Sequence, residues 1–592
     1  MSSKPSSSTP SPSGGAGSHK VVVPRATARL RYLSGVLALL VLGTGRLVSS
    51  RPPLALLALL ALLVFGPLRA AHDRHVRAAR LGCRYGAGSG PGSGGPRRYP
   101  RRDVLGVRFL AEAAAAIRGN RLLERFRELL SDPGSGGGGD GSGEGGGKGS
   151  TGGGGKVDGG GGLGHTFVHA TFPEGRDTVT TDEPENVRAV LCVKFEDWAL
   201  PAMRIRGFLP VLGKHSIFTT NGAEWQHSRA ILRPAFVRDQ ISDLACIDRH
   251  VGRLITRLRT TAAADDNAVV DLQAEFSMLT TDTISDFMLG QSTDLLGGDA
   301  PADSYTFGRY FDQAMVKIAW RARLGSLTML RRDPELETYA AFLRDFVTKF
   351  VKEVREQADT NTHRGDAGKY VFLDELLKSG ESDEVICDHL LSIFTAGRDT
   401  QTSVLSYLFY ELSRRPDVAG AIRAEMAAQL GPDADPTWDD LRGLRYLNWA
   451  LKEALRLNPP VASNSREAVR DTVLPRGGGP DGSEPFFVAK GTTVRYVPWI
   501  MHRRRDIYGE DADEFRPERW EHLRVTHEYV PFNAGPRICI GQQFALTQMA
   551  LITFRLLQAF KAIERRDDRP AVQKLGINLS MLHGCLVSLT PA

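Results

Sequence analysis

The sequence predicts a mainly helical body with a small β portion, preceded by an N-terminal apolar anchor. Apolar residues recur at helical spacing from Asp239 to Leu289 and from Tyr305 to Gln357, and Ser382–Arg414 is one long, largely apolar helical stretch. After Arg466 the pattern changes to short strands, Phe486–Val488 and Thr492–Val497, beside the loop Gly477–Gly482. Two apolar stretches near the N-terminus, Tyr32–Gly45 and Pro52–Leu68, stand apart from both patterns.

Taken in order, residues 1–31 are polar and rich in Ser, Pro and Gly, a composition too poor in apolar surface to fold. Residues 32–68 read as a membrane anchor. Each apolar segment falls short of the roughly 20 residues that span a bilayer comfortably, so one crossing and two both stay open. Arg69, Arg74, Arg77 and Arg80 follow directly and put the rest of the chain on the cytoplasmic side. Residues 69–132 form the juxtamembrane region and the start of the folded part, with an amphipathic pattern over Leu105–Leu130. Residues 133–164 are nearly all glycine and read as a flexible insertion outside the fold. The body, 165–592, opens with strands at Thr166–Phe172 and Thr178–Thr181 and a helix over Glu185–Val193.

Composition excludes some classes. A net charge of +7 spread over 592 residues does not mark a nucleic-acid-binding surface; a membrane surface or an acidic partner suits it equally. The six cysteines are scattered, with no zinc spacing and no disulfide framework.

The chemistry concentrates in a few motifs. In Phe532-Asn-Ala-Gly-Pro-Arg-Ile-Cys-Ile-Gly541, Cys539 lies between Gly535 and Gly541, which allow tight backbone conformations, and two residues from the cation Arg537. Nearby positive charge and amide N–H groups favour a thiolate, one of the few axial ligands used for haem iron. Phe532 offers an apolar plate against a macrocycle. In the long helix, Ala396-Gly-Arg-Asp-Thr400 interrupts an apolar run; the small pair Ala396-Gly397 lets a flat or bulky group approach, and Asp399 with the Thr400 hydroxyl can relay protons. Glu453 and Arg456 share a helical face that ends at Asn458-Pro-Pro460, with a further arginine at Pro517-Glu-Arg519-Trp520. Trp225 and Arg229 set two donors on one helix face, suited to a carboxylate or propionate. His502 and Arg503–Arg505 read as a solvated basic run that could also meet an acidic partner. Asn578-Leu-Ser580 fits a glycosylation acceptor that a cytosolic location would make irrelevant.

These motifs, in this order over the whole folded body, resemble the cytochromes P450. The match lies in F-x-x-G-x-R-x-C-x-G at Phe532–Gly541, A-G-x-D-T at Ala396–Thr400, E-x-x-R at Glu453–Arg456 with P-E-R at Pro517–Arg519, and W-x-x-x-R at Trp225–Arg229. The chain departs from the family with Gln401 where a second Thr or Ser is frequent and Trp520 where Phe is common. The resemblance implies a mainly helical prism with a small β domain, haem b ligated by Cys539, and oxygen activation assisted by Asp399 and Thr400. It implies cofactor contacts from Trp225, Arg229, Arg466, Phe532, Gly535, Arg537 and Gly541, and a structural lock of Glu453, Arg456 and Arg519. Substrate would lie against Ile393, Phe394, Ala396, Val461 and Ala462, with Leu579–Met581 as further wall. Met501–Trp520, Phe532–Ala545 and Ser216–Gly222 are similar to fungal microsomal members that hydroxylate n-alkanes and fatty acids at or near the chain end. That similarity implies O2 and a lipophilic substrate, a separate NADPH-cytochrome P450 reductase, no nucleic acid, and an endoplasmic reticulum membrane location facing the cytosol. Another lipophilic or secondary-metabolite substrate, or a non-catalytic haem-binding role, stays open.

Overall fold

The computed structural model describes residues 97–98, 107–131, 164–171, 176–237, 242–265, 268–298, 300–324, 332–359, 371–479 and 481–592. The expected N-terminal tail and anchor, and all but the last residue of the glycine-rich insertion, lie outside them. Among the described residues no helix is long and apolar enough to cross a membrane.

The amphipathic stretch after the anchor forms two helices, α1 (Val107–Arg118) and α2 (Leu122–Leu130), broken where Asn120 takes φ 53°. Helix α3 (Pro184–Arg188) stops short of its expected end because Ala189–Val193 widens into a π turn. Then come α4 (Ala202–Leu212) and α5 (Gly222–Leu232). The periodic stretch to Leu289 is two helices, α6 (Ala245–Ala264) and α7 (Leu272–Leu289), the second capped by the Asp271 carboxylate accepting from Gln273 N. The next stretch likewise divides into α8 (Ala302–Leu324) and α9 (Pro334–Asp359), followed by α10 (Phe372–Lys378).

Helix α11 (Asp383–Leu412) is the axis of the body, with 30 residues and Ser382 as its N-cap. At 1.5 Å per residue it is about 45 Å long. Every residue from Val385 to Phe409 is buried except Ala396, Gly397, Asp399 and Thr400. Ser392, Thr395, Thr400, Thr402 and Ser406 each donate to the carbonyl four residues back, which lets a buried helix carry hydroxyls without orphaning them. Gly397 serves a helix crossing: a Cβ there would stand 2.7 Å from Ile284 Cδ1 on α7. The close approach that the small pair Ala396-Gly397 permits is thus made at Gly397 by a bulky side chain of a neighbouring helix.

After α11 come α12 (Pro416–Gln429), α13 (Trp438–Gly443), held by a Thr437–Asp440 capping box, α14 (Arg445–Leu457) and the short turns α15 (Pro498–Met501), α16 (Arg505–Tyr508) and α17 (Arg519–His522). Helix α18 (Gln542–Ala559) starts directly behind the cysteine loop.

The strands form small sheets. β1 (Arg97–Arg98), β2 (Thr166–Thr171), β3 (Arg176–Thr181), β4 (Trp198–Ala199), β6 (Asn464–Ala468) and β9 (Thr493–Tyr496) make one of six strands in the order β1-β2-β3-β9-β6-β4. β5 (Val270–Asp271), β10 (Phe560–Arg565) and β13 (Leu586–Pro591) make a second, while β7 (Thr472–Gly478) pairs with β8 (Glu484–Val488) and β11 (Gln573–Leu575) with β12 (Leu579–Met581). One apolar core binds α14 and α18 to the C-terminal half of α11; another packs α7, α8 and α9 around its N-terminal half. The site lies where these layers meet the six-stranded sheet.

Candidate active site

The cysteine loop is built by close backbone contacts. Cys539 N donates to Phe532 O at 2.9 Å, closing the loop behind the partly buried Phe532 ring. Gly535 has φ 67°, and a Cβ there would fall 1.9 Å from Leu191 O, so no other residue fits without moving the π turn. Gly541 plays a different part from the one expected: its φ is −92°, and its N–H is directed at the Cys539 sulfur.

Cys539 is the exposed one of the five described cysteines, yet protein surrounds it on most sides, so the sulfur faces a recess. Burial pushes its thiol up, while the Gly541 N–H and the Arg229 cation pull toward the thiolate. Arg537 is not the cation beside the sulfur. It turns away to donate to Thr220 O at 2.9 Å and Asn221 Oδ1 at 3.0 Å, over the Trp225 ring at 4.3 Å. Arg229 takes that place, donating to Ile538 O at 3.0 Å. The Trp225–Arg229 pair thus divides its work, Trp225 stacking under Arg537 and Arg229 holding the loop carbonyl of Ile538.

A cluster of arginines lines the recess. Arg204 on α4 donates to Asn464 Oδ1 at 2.7 Å, and Arg466 on β6 donates to Ser465 O at 2.8 Å. Tyr496 OH donates to Asn533 Oδ1 at 2.7 Å, and Asn533 holds the positive φ of 60° that lets it do so. Among the described residues none of Arg204, Arg229, Arg466 and Arg537 has a carboxylate partner, and the buried Nε of Arg204 has no acceptor at all. Burial and the neighbouring guanidiniums lower Arg204 to about 10 and Arg537 to about 9. Uncompensated buried cations are costly unless an anion joins them. An accessible thiol at the base of a recess, with a cradle of guanidiniums short of negative charge, fits a metal macrocycle bearing acidic groups. Sequence reasoning missed Arg204, since a lone arginine on a helix carries no local signal.

On α11, the partly exposed residues Ala396, Asp399 and Thr400 share one face. Thr400 Oγ1 donates to Ala396 O at 2.7 Å. Asp399 accepts from Arg398 Nη1 at 3.0 Å; burial raises its carboxyl and Arg398 only partly offsets this. Arg398 is buried, donating also to Thr281 Oγ1 at 2.8 Å and Ser277 Oγ at 2.9 Å on α7 and to Asp312 on α8. Gln401 reaches Gln548 Oε1 on α18 at 2.9 Å.

Not all the expected wall residues reach the accessible face. Ile393 and Phe394 are buried, Phe394 edge-on to Phe307 and Phe311 with centroids 4.9 and 4.8 Å away. Val461 is partly accessible and Ala462 is buried. Leu579 N donates to Pro460 O at 2.8 Å, which brings β12 to that wall.

Glu453, Arg456 and Arg519 are fully assembled. Glu453 Oε1 accepts from Arg456 Nη2 at 2.7 Å and Arg519 Nε at 2.9 Å; Oε2 accepts from Arg456 Nε at 2.9 Å. Trp520 contributes what a phenylalanine could not, an indole N–H donated to Glu453 Oε2 at 3.0 Å. The remaining guanidinium donors reach carbonyls, including those of His502, Ala512, Glu514, Tyr508 and Asp511.

The basic run at His502–Arg505 is not a solvated surface. His502 is buried, its Nε2 accepting from Val530 N at 3.0 Å and its Nδ1 meeting Arg456 O at 3.1 Å. Arg503 stacks on Trp499 at 4.0 Å, Arg504 pairs with Glu183 and Asp506, and Arg505 alone is exposed. Tertiary acceptors outbid water for three of the four.

The family model described as Cytochrome P450 matches residues 167–583. The chain belongs to the cytochrome P450 family. Among curated proteins it is similar to cytochrome P450 monooxygenase himC of Aspergillus japonicus, 40% identical over 84% of this chain and 83% of that protein. It is 40% identical to cytochrome P450 monooxygenase FPY7 of Fusarium mangiferae, over 70% of this chain and 79% of the relative. Cytochrome P450 52A13 of Debaryomyces hansenii is 38% identical over 70% of this chain and 82% of its own length. These matches support the cytochrome P450 fold and a monooxygenase with a haem-thiolate centre.

Proposed function

We propose that this cytochrome P450 hydroxylates fatty acids or n-alkanes at or near the chain end, drawing electrons from a separate NADPH-cytochrome P450 reductase at the endoplasmic reticulum membrane. The observation that carries the reading is the interrupted burial of α11. In an otherwise buried helix, only Ala396, Gly397, Asp399 and Thr400 are accessible, so a small apolar residue stands beside a carboxylic acid and a hydroxyl.

Cys539 would hold the haem iron through its sulfur, and Arg204, Arg466 and Arg537 would hold the acidic groups of the macrocycle. Bound there, haem supplies the activation of dioxygen. Arg229 and the Gly541 N–H favour the thiolate form of Cys539 against the burial that raises its thiol. Asp399, whose carboxyl is raised by burial, carries a proton inward from its accessible edge. Arg398 fixes the carboxylate, and the Thr400 hydroxyl, whose lone pairs stay free while it donates to Ala396 O, would accept a hydrogen bond from the water that takes up the Asp399 proton and so hold that water in place. Ala396 and Val461 exclude water from an apolar chain. The similarity of Met501–Trp520 and Ser216–Gly222 to fungal members that hydroxylate n-alkanes and fatty acids supports a lipid substrate.

The test is turnover of a panel of fatty acids, n-alkanes and other lipophilic compounds with a fungal reductase, products identified by mass spectrometry. Terminal or near-terminal hydroxylation of the lipids is the expected outcome; oxidation of another class with none of the lipids touched refutes the substrate. Thr400→Ala should consume NADPH without matching product, and full coupling in that variant refutes the relay.

A further inference from the structure

Three metal-ligating side chains meet outside the haem site, between α6 and α7. Cys246 and His250 lie one turn apart on α6 and share a face. Asp286 on α7 reaches that face: Cys246 Sγ donates to Asp286 Oδ2 at 3.4 Å, and His250 Nε2 lies 3.0 Å from the same oxygen. All three ligand atoms fall within 4.8 Å of one another. His250 and Asp286 are buried, while Cys246 is partly accessible. The other ring nitrogen, His250 Nδ1, has no partner among the described residues, so hydrogen bonding alone does not account for burying this imidazole.

The distances suit one ion. With Zn–S about 2.3 Å and Zn–N and Zn–O about 2.0 Å, the edges of a tetrahedron run about 3.5 Å from sulfur to oxygen and about 3.3 Å from nitrogen to oxygen. The corresponding edges at Asp286 are 3.4 and 3.0 Å. The donor set selects the metal. A thiolate, an imidazole and a carboxylate oxygen suit a borderline-soft ion such as Zn2+, whereas Mg2+ and Ca2+ take oxygen ligands. Thiolate and carboxylate together carry two negative charges, so a divalent ion leaves this largely buried place neutral. Cys246 stands in the first turn of α6, where the helix amides favour a thiolate. One group opposes a cation, the half-exposed Arg249, whose Nη1 is 3.6 Å from Asp286 Oδ2. Its long side chain can turn out to water when an ion enters.

We propose that Cys246, His250 and Asp286 form a zinc site, with water completing the set on the accessible Cys246 side. On binding, the Cys246 thiol proton leaves to solvent, and the imidazole keeps its hydrogen on Nδ1 so that Nε2 coordinates. Sulfur, nitrogen and oxygen each give a lone pair, and nothing is oxidised or reduced. The ion clips α6 to α7, the helix that sets Ile284 against Gly397 and Thr281 against Arg398. The site stands whatever the haem centre oxidises.

The experiment is equilibrium dialysis of the haem-loaded enzyme against zinc chloride, after a chelator has removed loosely held metal. The wild type should hold about one zinc ion per chain more than Cys246→Ser, which keeps a hydrogen-bond donor to Asp286 and loses the thiolate. At that loading, zinc-edge X-ray absorption of the wild type should show a sulfur at about 2.3 Å that Cys246→Ser lacks. His250→Gln should weaken binding by more than about tenfold, and Arg249→Ala should tighten it by up to about fivefold by removing a repelled cation. The red-shifted absorption of the reduced carbon monoxide complex should be the same in the wild type, Cys246→Ser and Arg249→Ala, which shows that both variants are folded. Zinc held equally by the wild type and Cys246→Ser is an adventitious ion only and overturns the site. Magnesium bound as tightly as zinc overturns it too, as does weaker zinc binding in Arg249→Ala, which would put the ion away from Asp286.

Discussion

Replacing Glu453 by glutamine removes one charge and almost no volume, so the variant isolates the electrostatics of the buried network. Glu453 and Arg456 have no exposed side-chain surface, and Arg519 is 3% exposed. In Glu453→Gln, Arg456 keeps its carbonyls but loses its only carboxylate among the described residues. Arg519 keeps Asp511 at 3.1 Å. Trp520 keeps an acceptor of lower strength. Stranding one partner of a buried ion pair costs about 3–5 kcal/mol. Against a total of about 5–15 kcal/mol for a folded domain, that is a large fraction. Arg519→Gln should cost less, about 2 kcal/mol, because Glu453 would still be held by both forks of Arg456. The assay is urea unfolding of the haem-loaded enzyme followed together by the haem absorption and by far-UV circular dichroism. A loss under about 1 kcal/mol for Glu453→Gln, or a larger loss for Arg519→Gln, would refute the view that Glu453 is the sole counter-ion of Arg456.

Gly535→Ala should abolish haem incorporation, read as loss of the red-shifted absorption of the reduced carbon monoxide complex, because its Cβ would overlap Leu191 O at 1.9 Å with φ at 67°. Arg204→Gln should raise the rate of haem loss to apomyoglobin about tenfold, the effect of one charge-assisted bond, while unfolding of the haem-free chain is unchanged or improved by removing a repelled cation. Burial depresses His502 to about 3, so the fold prefers its neutral form. Its contribution is complete above about 6.5 and is lost as pH falls from there toward 3, at about 1.4 kcal/mol per pH unit. His389, lowered to about 4, adds to the same slope; His502→Gln should therefore flatten the acid dependence of the urea midpoint without abolishing it.

The parts legible in the sequence are those whose chemistry is local. Cys539 with its flanking glycines, Asp399 beside Thr400, and Glu453 one turn from Arg456 declare themselves within ten residues, and periodicity alone separates the helical body from the strands. Charge behaves differently, because the partner that satisfies an arginine is set by the fold. Arg519 meets Glu453 across 66 positions, and Arg204 meets Asn464 across 260. Hence His502–Arg505 reads as a solvated run while His502 and Arg503 are buried and Arg504, only partly accessible, pairs with Glu183, and the close approach that Gly397 permits is made by Ile284. Two classes of buried or half-buried arginine look alike in sequence and differ in meaning. Arg456, Arg519 and Arg398 have carboxylates in the fold and hold it together. Arg204, Arg466 and Arg537 have none among the described residues, and a guanidinium held wholly or partly out of water without a counter-charge is costly unless an anion joins it. These three surround the cysteine recess, so under the proposed function the missing charge is that of the cofactor's acidic groups.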